Sequence, residues 1–153
     1  MKKLLKQNFE NIKLDRLLDA NANRLKEGLR VLEDITRFII DDSRLTGQFK
    51  KIRHAVTACL KSNKLTAPAR IIKKRQIQTD VGKKTIVSEL ERKNIADIFL
   101  ANCQRVKESI RVLEECMKLF DRKTAQRFKS MRYSIYHLEK RSIEKIVKIC
   151  NNI

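Results

Sequence analysis

One stretch of this chain occurs twice, and that repeat restricts the possible folds more than any other feature. Asn21-Ala22-Asn23-Arg24-Leu25-Lys26-Glu27-Gly28-Leu29-Arg30-Val31-Leu32-Glu33 is echoed by Asn102-Cys103-Gln104-Arg105-Val106-Lys107-Glu108-Ser109-Ile110-Arg111-Val112-Leu113-Glu114, 81 positions later. Across Ala20–Ile39 and Ala101–Phe120, nine of twenty positions are identical, where composition alone would leave roughly one or two. Phe49-Lys50-Lys51-Ile52-Arg53-His54 is answered by Phe128-Lys129-Ser130-Met131-Arg132-Tyr133 at an offset of 79. Order and spacing agree, so the chain reads as an internal duplication. The unit is too long for a solenoid repeat and suits a pseudo-twofold helical domain.

Apolar residues recur at helical spacing through both copies. Leu17, Leu18, Leu25, Leu29, Leu32, Ile35, Thr36 and Ile39 share one side of a helix expected from about Arg16 to Ile40, with Asp15 as its cap. A second, capped by Ser43, runs from about Arg44 to Lys61 and turns Leu45, Phe49, Ile52, Val56 and Leu60 inward. Ser88-Glu89-Leu90-Glu91 has the form of a capping box and opens a third, from about Glu89 to Phe120. Asp121 marks a break before a fourth, from about Arg122 to Cys150. Residues 1–14 read as an amphiphilic lead-in. The expected fold is all-α: a bundle of two duplicated antiparallel helix hairpins in one domain, 1–153. Repeat one covers about 15–61, repeat two about 88–150, and a basic loop holding Pro68 and Gly82 connects them over 62–87. Three Gly and one Pro leave little material for β-hairpin turns.

The formal charge is +18, from 36 basic against 18 acidic residues. A surplus of that size attracts phosphorylated metabolites, nucleic acid or acidic lipid headgroups without choosing among them. Cys59, Cys103, Cys116 and Cys150 form no CxxC and no cluster with His, so they read as reduced thiols of a cytoplasmic chain. No apolar run reaches transmembrane length and no cleavable leader follows the basic start. A soluble intracellular protein, off the membrane, is the expectation.

Several polar residues of the repeat bear on chemistry. Asn21 points to the middle of the apolar face, as does its copy Asn102. Either each makes a helix-to-helix amide contact, or both touch a ligand inside the bundle. Arg24 and Arg105 lie at the edge of that face and offer planar forks suited to phosphate. Arg53 and Arg132 hold matching positions on the partner helices, so folding can gather four guanidinium groups, with His54 beside Arg53. Arg30, Glu33, Arg111 and Glu114 are expected to rotate away from the core as surface ion pairs. In the loop, Arg75-Gln76-Ile77-Gln78-Thr79-Asp80-Val81-Gly82 puts a carboxylate near a glycine. Asp80 there can bind Mg²⁺ or orient a hydroxyl, and Gly82 lets backbone approach phosphate, although Asp-x-Gly is also ordinary turn chemistry. Neither a GxxxxGK[ST] loop nor an HExxH occurs.

The doubled Asn-x-x-Arg-x-x-Glu-(Gly/Ser)-(Leu/Ile)-Arg-Val-Leu-Glu, with Arg53-His54, the Arg75 to Gly82 loop and Arg132-Tyr133, resembles a known family. It is the helical domain often found ahead of the barrel in bacterial thiamine-phosphate synthases, assigned as a hydroxymethylpyrimidine phosphate kinase. The resemblance covers about residues 14–141, and the loop departs from the family pattern at Gln76 and Lys83. It implies that ATP, with Mg²⁺, phosphorylates a small phosphorylated pyrimidine to its diphosphate. Asn21, Arg24, Arg53, His54, Arg75, Asn102, Arg105 and Arg132 would then bind substrate and phosphate. Glu27, Asp80 and Glu108 would be the catalytic carboxylates, with Asp80 on the metal. These 153 residues are not expected to include a synthase barrel, so the resemblance implies a separate thiamine-phosphate synthase as partner, and the long amphipathic helices lead us to expect a homodimer. Two other readings compete: a non-catalytic module that docks on such a synthase, and a basic nucleic-acid-binding bundle. Against the last, aromatics make up 5 % of the chain and Trp is absent, leaving few platforms for stacked bases.

Overall fold

A computed structural model of the chain describes residues 2–64, 66–75, 77–78, 80–82 and 91–151, with side chains from Lys13 onward. Helix α1 spans Lys2–Phe38, α2 Ser43–Ser62, α3 Pro68–Ile71 followed by a 3-10 turn at Ile72–Lys74, α4 Ile95–Met117 and α5 Arg122–Asn151. No strand occurs among the described residues. Helix α1 packs against α2 and α4, and α5 packs against α4 and α2.

Side-chain oxygens set the helix boundaries. Asp41 takes a left-handed backbone (φ 53) between α1 and α2, a conformation that Asp tolerates better than most residues. Asp42, not Ser43, then caps α2, its Oδ1 accepting the Leu45 N–H at 2.8 Å. Asp15 does not begin a helix either, because α1 is already continuous from Lys2. The residues before Asp15 contain no Pro or Gly to interrupt it. Helix α4 starts at Ile95 rather than Glu89. Asn94 Oδ1 accepts the Asp97 N–H at 3.0 Å, while Asp97 Oδ2 accepts the Lys93 N–H at 2.9 Å. That reciprocal arrangement does what a capping box does. Ser88 and Glu89 lie outside the described residues. Asp121 opens α5 by accepting the N–H groups of Lys123 and Thr124 at 3.0 and 3.2 Å.

The apolar stripes meet in one core. Leu18, Leu25, Leu29, Leu32 and Ile35 of α1 are buried with Leu45, Phe49, Ile52, Val56 and Leu60 of α2. Val106, Ile110 and Leu113 of α4 join Phe128, Ile135 and Leu138 of α5. Phe49 and Phe99 touch edge to face at a centroid distance of 6.3 Å, a pairing worth about 0.5–1.5 kcal/mol beyond the area it buries. Leu17 and Ile39 are exposed instead, each about a hundred degrees round the wheel from the buried Leu18 or beyond the last turn of α1. Cys59, Cys103 and Cys116 are buried free thiols, and burial pushes each of them up from its ordinary pKa.

Candidate functional site

Two carboxylates on α1 organise the segment that follows α2. Asp15 and Asp19 stand one helical turn apart and are both buried. Arg70, at the end of α3, donates Nη2 to Asp15 Oδ1 at 3.0 Å. Arg75 grips Asp19 with two parallel bonds, Nε to Oδ2 at 2.7 Å and Nη2 to Oδ1 at 2.8 Å. Asn23 steadies the same carboxylate from α1, donating Nδ2 to Oδ1 at 3.2 Å. The Asp19 carboxylate in turn holds the Arg75 guanidinium above its ordinary pKa, with a smaller contribution from Glu27. Such a fork leaves Arg75 Nη1 for another acceptor.

A cavity of about 440 Å³ opens beside this clamp, lined among others by Arg16, Asp19, Asn23, Arg24, Arg75 and Asp80. Three guanidinium groups there face two carboxylates, and Arg75 is already fixed in place. Asp80 Oδ1 accepts the Gly82 N–H at 3.0 Å, an Asx turn that holds the carboxylate at the rim. The opening suits a small anion with a polar body. Of the residues singled out in the sequence, Arg24, Arg75 and Asp80 come together here, with Glu27 in electrostatic reach of Arg75. Asp15, Asp19, Arg16 and Asn23 were not foreseen. The legible signal was a difference between the two similar stretches: 81 positions after Asp15 and Asp19 stand Ala96 and Leu100.

The remaining candidates sit elsewhere. Asn21 is buried and donates Nδ2 to the Leu17 carbonyl of its own helix at 2.9 Å. Asn102 does the same with Ile98 at 2.8 Å. Both amides are thus engaged one turn back rather than across helices. Arg105, Glu108 and His54 are exposed, with Glu108 accepting from Gln104 at 2.7 Å. Arg53 and Arg132 do not gather with Arg24 and Arg105 at this opening.

Arg53 and Arg132 instead bind carboxylates that were expected on the surface. Glu33 and Glu114 are only 4 % and 2 % exposed, because each lies one turn beyond a core leucine or isoleucine on the buried face. Arg53 donates Nε to Glu33 Oε2 at 2.7 Å, and Arg132 donates Nε to Glu114 Oε2 at 2.9 Å. Arg30 and Arg111 reach the same two carboxylates at 3.4 and 2.9 Å while staying half in solvent. Burial would raise the Glu33 carboxyl, but the hydrogen bond and charge of Arg53, helped by Arg30 and Lys50, outweigh it and hold it below its ordinary value. Arg53 and Arg132 are correspondingly held above theirs, first by hydrogen bonds to Glu33 and Glu114.

No group of three or more His, Cys, Asp or Glu side chains that could hold a metal occurs among the described residues. No helix there is long and apolar enough to cross a membrane.

The sequence model of the ThiD2 family matches residues 16–141. Similar relatives carry the name thiamine-phosphate synthase. One from Nostoc punctiforme is 38% identical over 125 residues, 81% of this chain and 34% of its own. Another, from Rhodopirellula baltica, is 36% identical over 131 residues, covering 84% and 34%. A third, from Thermosynechococcus vestitus, is 36% identical over 133 residues, covering 85% and 35%. The chain spans about a third of the length of these relatives. No solved structure matches it.

Proposed function

The chain belongs to the ThiD2 family, and from that membership we propose that it phosphorylates hydroxymethylpyrimidine phosphate to the diphosphate in thiamine biosynthesis, with ATP as donor. The observation that carries the reading is the opening on α1, lined by Arg16, Arg24, the clamped Arg75 and Asp80. In this reaction an oxygen of the substrate phosphate attacks the γ-phosphorus of ATP. A new P–O–P bond forms, the β,γ bond breaks, and ADP leaves. The nucleophile is already an anion, so no strong general base is needed. The difficulty is bringing two anions together, which is met by fixed cations.

Arg24 and Arg75 are accordingly assigned to the reacting phosphates, with Arg75 preorganised by Asp19. Asp80 is the protein carboxylate that would hold Mg²⁺, an oxygen ligand usual for this ion. Bound there, the ion would supply charge neutralisation to the reacting phosphates. Glu27, near enough to act on Arg75, tunes the cation rather than taking a proton. We also read the chain as two copies of one antiparallel helix hairpin. Supporting this, Glu33 with Arg53 and Glu114 with Arg132 make the same pair at matching positions.

Incubating the purified chain with Mg-ATP and hydroxymethylpyrimidine phosphate tests the reading, with the pyrimidine diphosphate as the expected product. A folded chain that makes none, under conditions where ATP binds, is not this kinase. A second reading, a helical module that partners a thiamine-phosphate synthase, draws on the relatives that carry a similar stretch within a longer chain. It would show a complex with the synthase and no turnover.

A further inference from the structure

A second concave surface lies between α4 and α5, away from the residues assigned above. It encloses about 580 Å³ and is lined by Arg111, Lys118, Arg122, Lys129 and Arg132 around the single carboxylate of Glu114. Its size falls in the range of about 300–1,000 Å³ usual for small-molecule sites.

The floor is built. Glu114, 2 % exposed, accepts from Arg111 Nη1 and from Arg132 Nε, both at 2.9 Å. Arg132 is further held by donating Nη1 to the Tyr136 hydroxyl at 3.1 Å. Two guanidinium groups are therefore immobilised before any ligand arrives, which lowers the ordering cost of binding. Above them Arg122 and Lys129 are exposed, and neither side chain makes a hydrogen bond or ion pair among the described residues. A solvated lysine face would be convex and mobile, whereas here the charges converge on one hollow. Glu115, beside the hollow, pairs with Arg111 at 2.6 Å and with Lys118 at 2.8 Å, so Glu114 and Glu115 offset two of the five cations and a surplus of three remains for an anion.

The rim adds a second feature. Tyr133 lines the same hollow and is 58% exposed. Its ring is fixed edge to face against Tyr136 at 5.9 Å, with the Arg132 guanidinium 5.2 Å from its centre. An exposed aromatic ring beside fixed cations is a surface on which a nucleobase can stack.

We propose that the hollow between α4 and α5 binds a nucleoside di- or triphosphate, its phosphate chain on Arg111, Arg122, Lys129 and Arg132 and its base against Tyr133. This is a statement about binding and stands independently of phosphoryl transfer at the α1 opening.

The test is calorimetric titration of the full chain with ADP and, separately, with inorganic tripolyphosphate, at one fixed ionic strength and without pyrimidine substrate. Arg122→Glu and Lys129→Glu change exposed residues, and circular dichroism checks that each variant keeps its helicity. Each should weaken the binding event at the hollow about tenfold for both ligands, as expected for a lost charged hydrogen bond, and leave any separate event at the α1 opening as in the unaltered chain. Tyr133→Ala should weaken ADP and leave tripolyphosphate unchanged. Lys61→Glu, the same charge reversal at an exposed site on α2, should leave both ligands nearly unaffected. The proposal is overturned if the Arg122→Glu/Lys129→Glu double variant binds tripolyphosphate with unaltered affinity and stoichiometry. It is equally overturned if Lys61→Glu weakens binding as much as the hollow's own substitutions, which would make the effect one of net charge. Failure of the kinase reading shows separately, as absent turnover by the unaltered chain.

Discussion

Glu33 is a carboxylate that only works where it is because Arg53 is there. With the Arg53 side chain still 18% exposed and that of Glu33 5%, the pair is too wet to treat as a fully buried ion pair. Breaking it should cost about 1.5–3 kcal/mol, the range for a charged hydrogen bond. Folding holds the Glu33 carboxyl below its ordinary value of 4.5, so the unfolded chain takes up that proton more readily than the folded one. The stability Glu33 adds is complete above the unfolded value and is lost as pH falls through the folded one. Thermal melts from neutrality into acid should therefore show the unaltered chain losing more stability than Glu33→Gln, the two curves converging at low pH. Parallel curves would mean that the pair adds nothing. Asp19 makes a different prediction, because its partner Arg75 has a side chain 40% exposed. Asp19→Asn should change stability by under about 1 kcal/mol. On the proposed kinase reading it should nonetheless raise KM for the pyrimidine phosphate more than it lowers kcat, since Arg75 loses the fork that aims it. Unaltered kinetics would reduce the clamp to a purely structural contact.

At the scale of helices, the tightest constraint is where α1 meets α4. A Cβ built on Gly28 would come within 2.7 Å of Val106 Cγ2 and 3.3 Å of the Asn102 carbonyl oxygen. Gly47, on α2, has nothing within 4 Å of that point. Helix propensity alone favours Ala over Gly by about 1 kcal/mol at either position. Gly47→Ala should accordingly raise the melting temperature. Gly28→Ala should lower it, because forced overpacking typically costs about 1–3 kcal/mol and a β-branched valine cannot swing clear. If both substitutions stabilise, the two helices are not in the contact described. The helices themselves were legible, since the leucine spacing of α1 and α2 reports burial directly. Their starts were less so. Asp15, Ser43 and Ser88 all have the chemistry of a cap, but local chemistry cannot tell a cap from a residue inside a longer helix or one step from the true cap. Glu33 and Glu114 were misread for a related reason: an i+3 run of charges looks like a solvated ladder until a distant arginine makes burial tolerable. The site was half legible. Arg24, Arg75 and Asp80 stood out by type and position, whereas the role of Asp19 depends on a contact 56 residues away.

For the whole molecule, the sequence repeat is compatible with one shared site or with two, and the chemistry of the connecting segment argues for one. Arg24 and Arg105 are copies by position, yet only Arg24 has Arg75 and Asp80 across from it in a shared cavity. The cause is the anchor. Asp15 and Asp19 hold Arg70 and Arg75 on α1, while the matching positions on α4 are Ala96 and Leu100, which offer an arginine nothing. A segment that binds α1 and not α4 gives two helices of similar sequence different surroundings. On the proposed kinase reading, Arg24→Ala should then lower kcat/KM on the order of a hundredfold, comparable to removing one stabilising donor from a preorganised site. Arg105→Ala, altering an exposed residue of α4, should leave turnover within about twofold of the unaltered chain, as surface changes away from a site usually do. Exchanging the anchors sharpens the contrast: Asp19→Leu should mimic the α4 side and lose activity, with helicity by circular dichroism preserved. Equal losses from Arg24→Ala and Arg105→Ala would instead mean that both halves bind phosphate alike, and that the clamp on α1 does not decide where the chemistry happens.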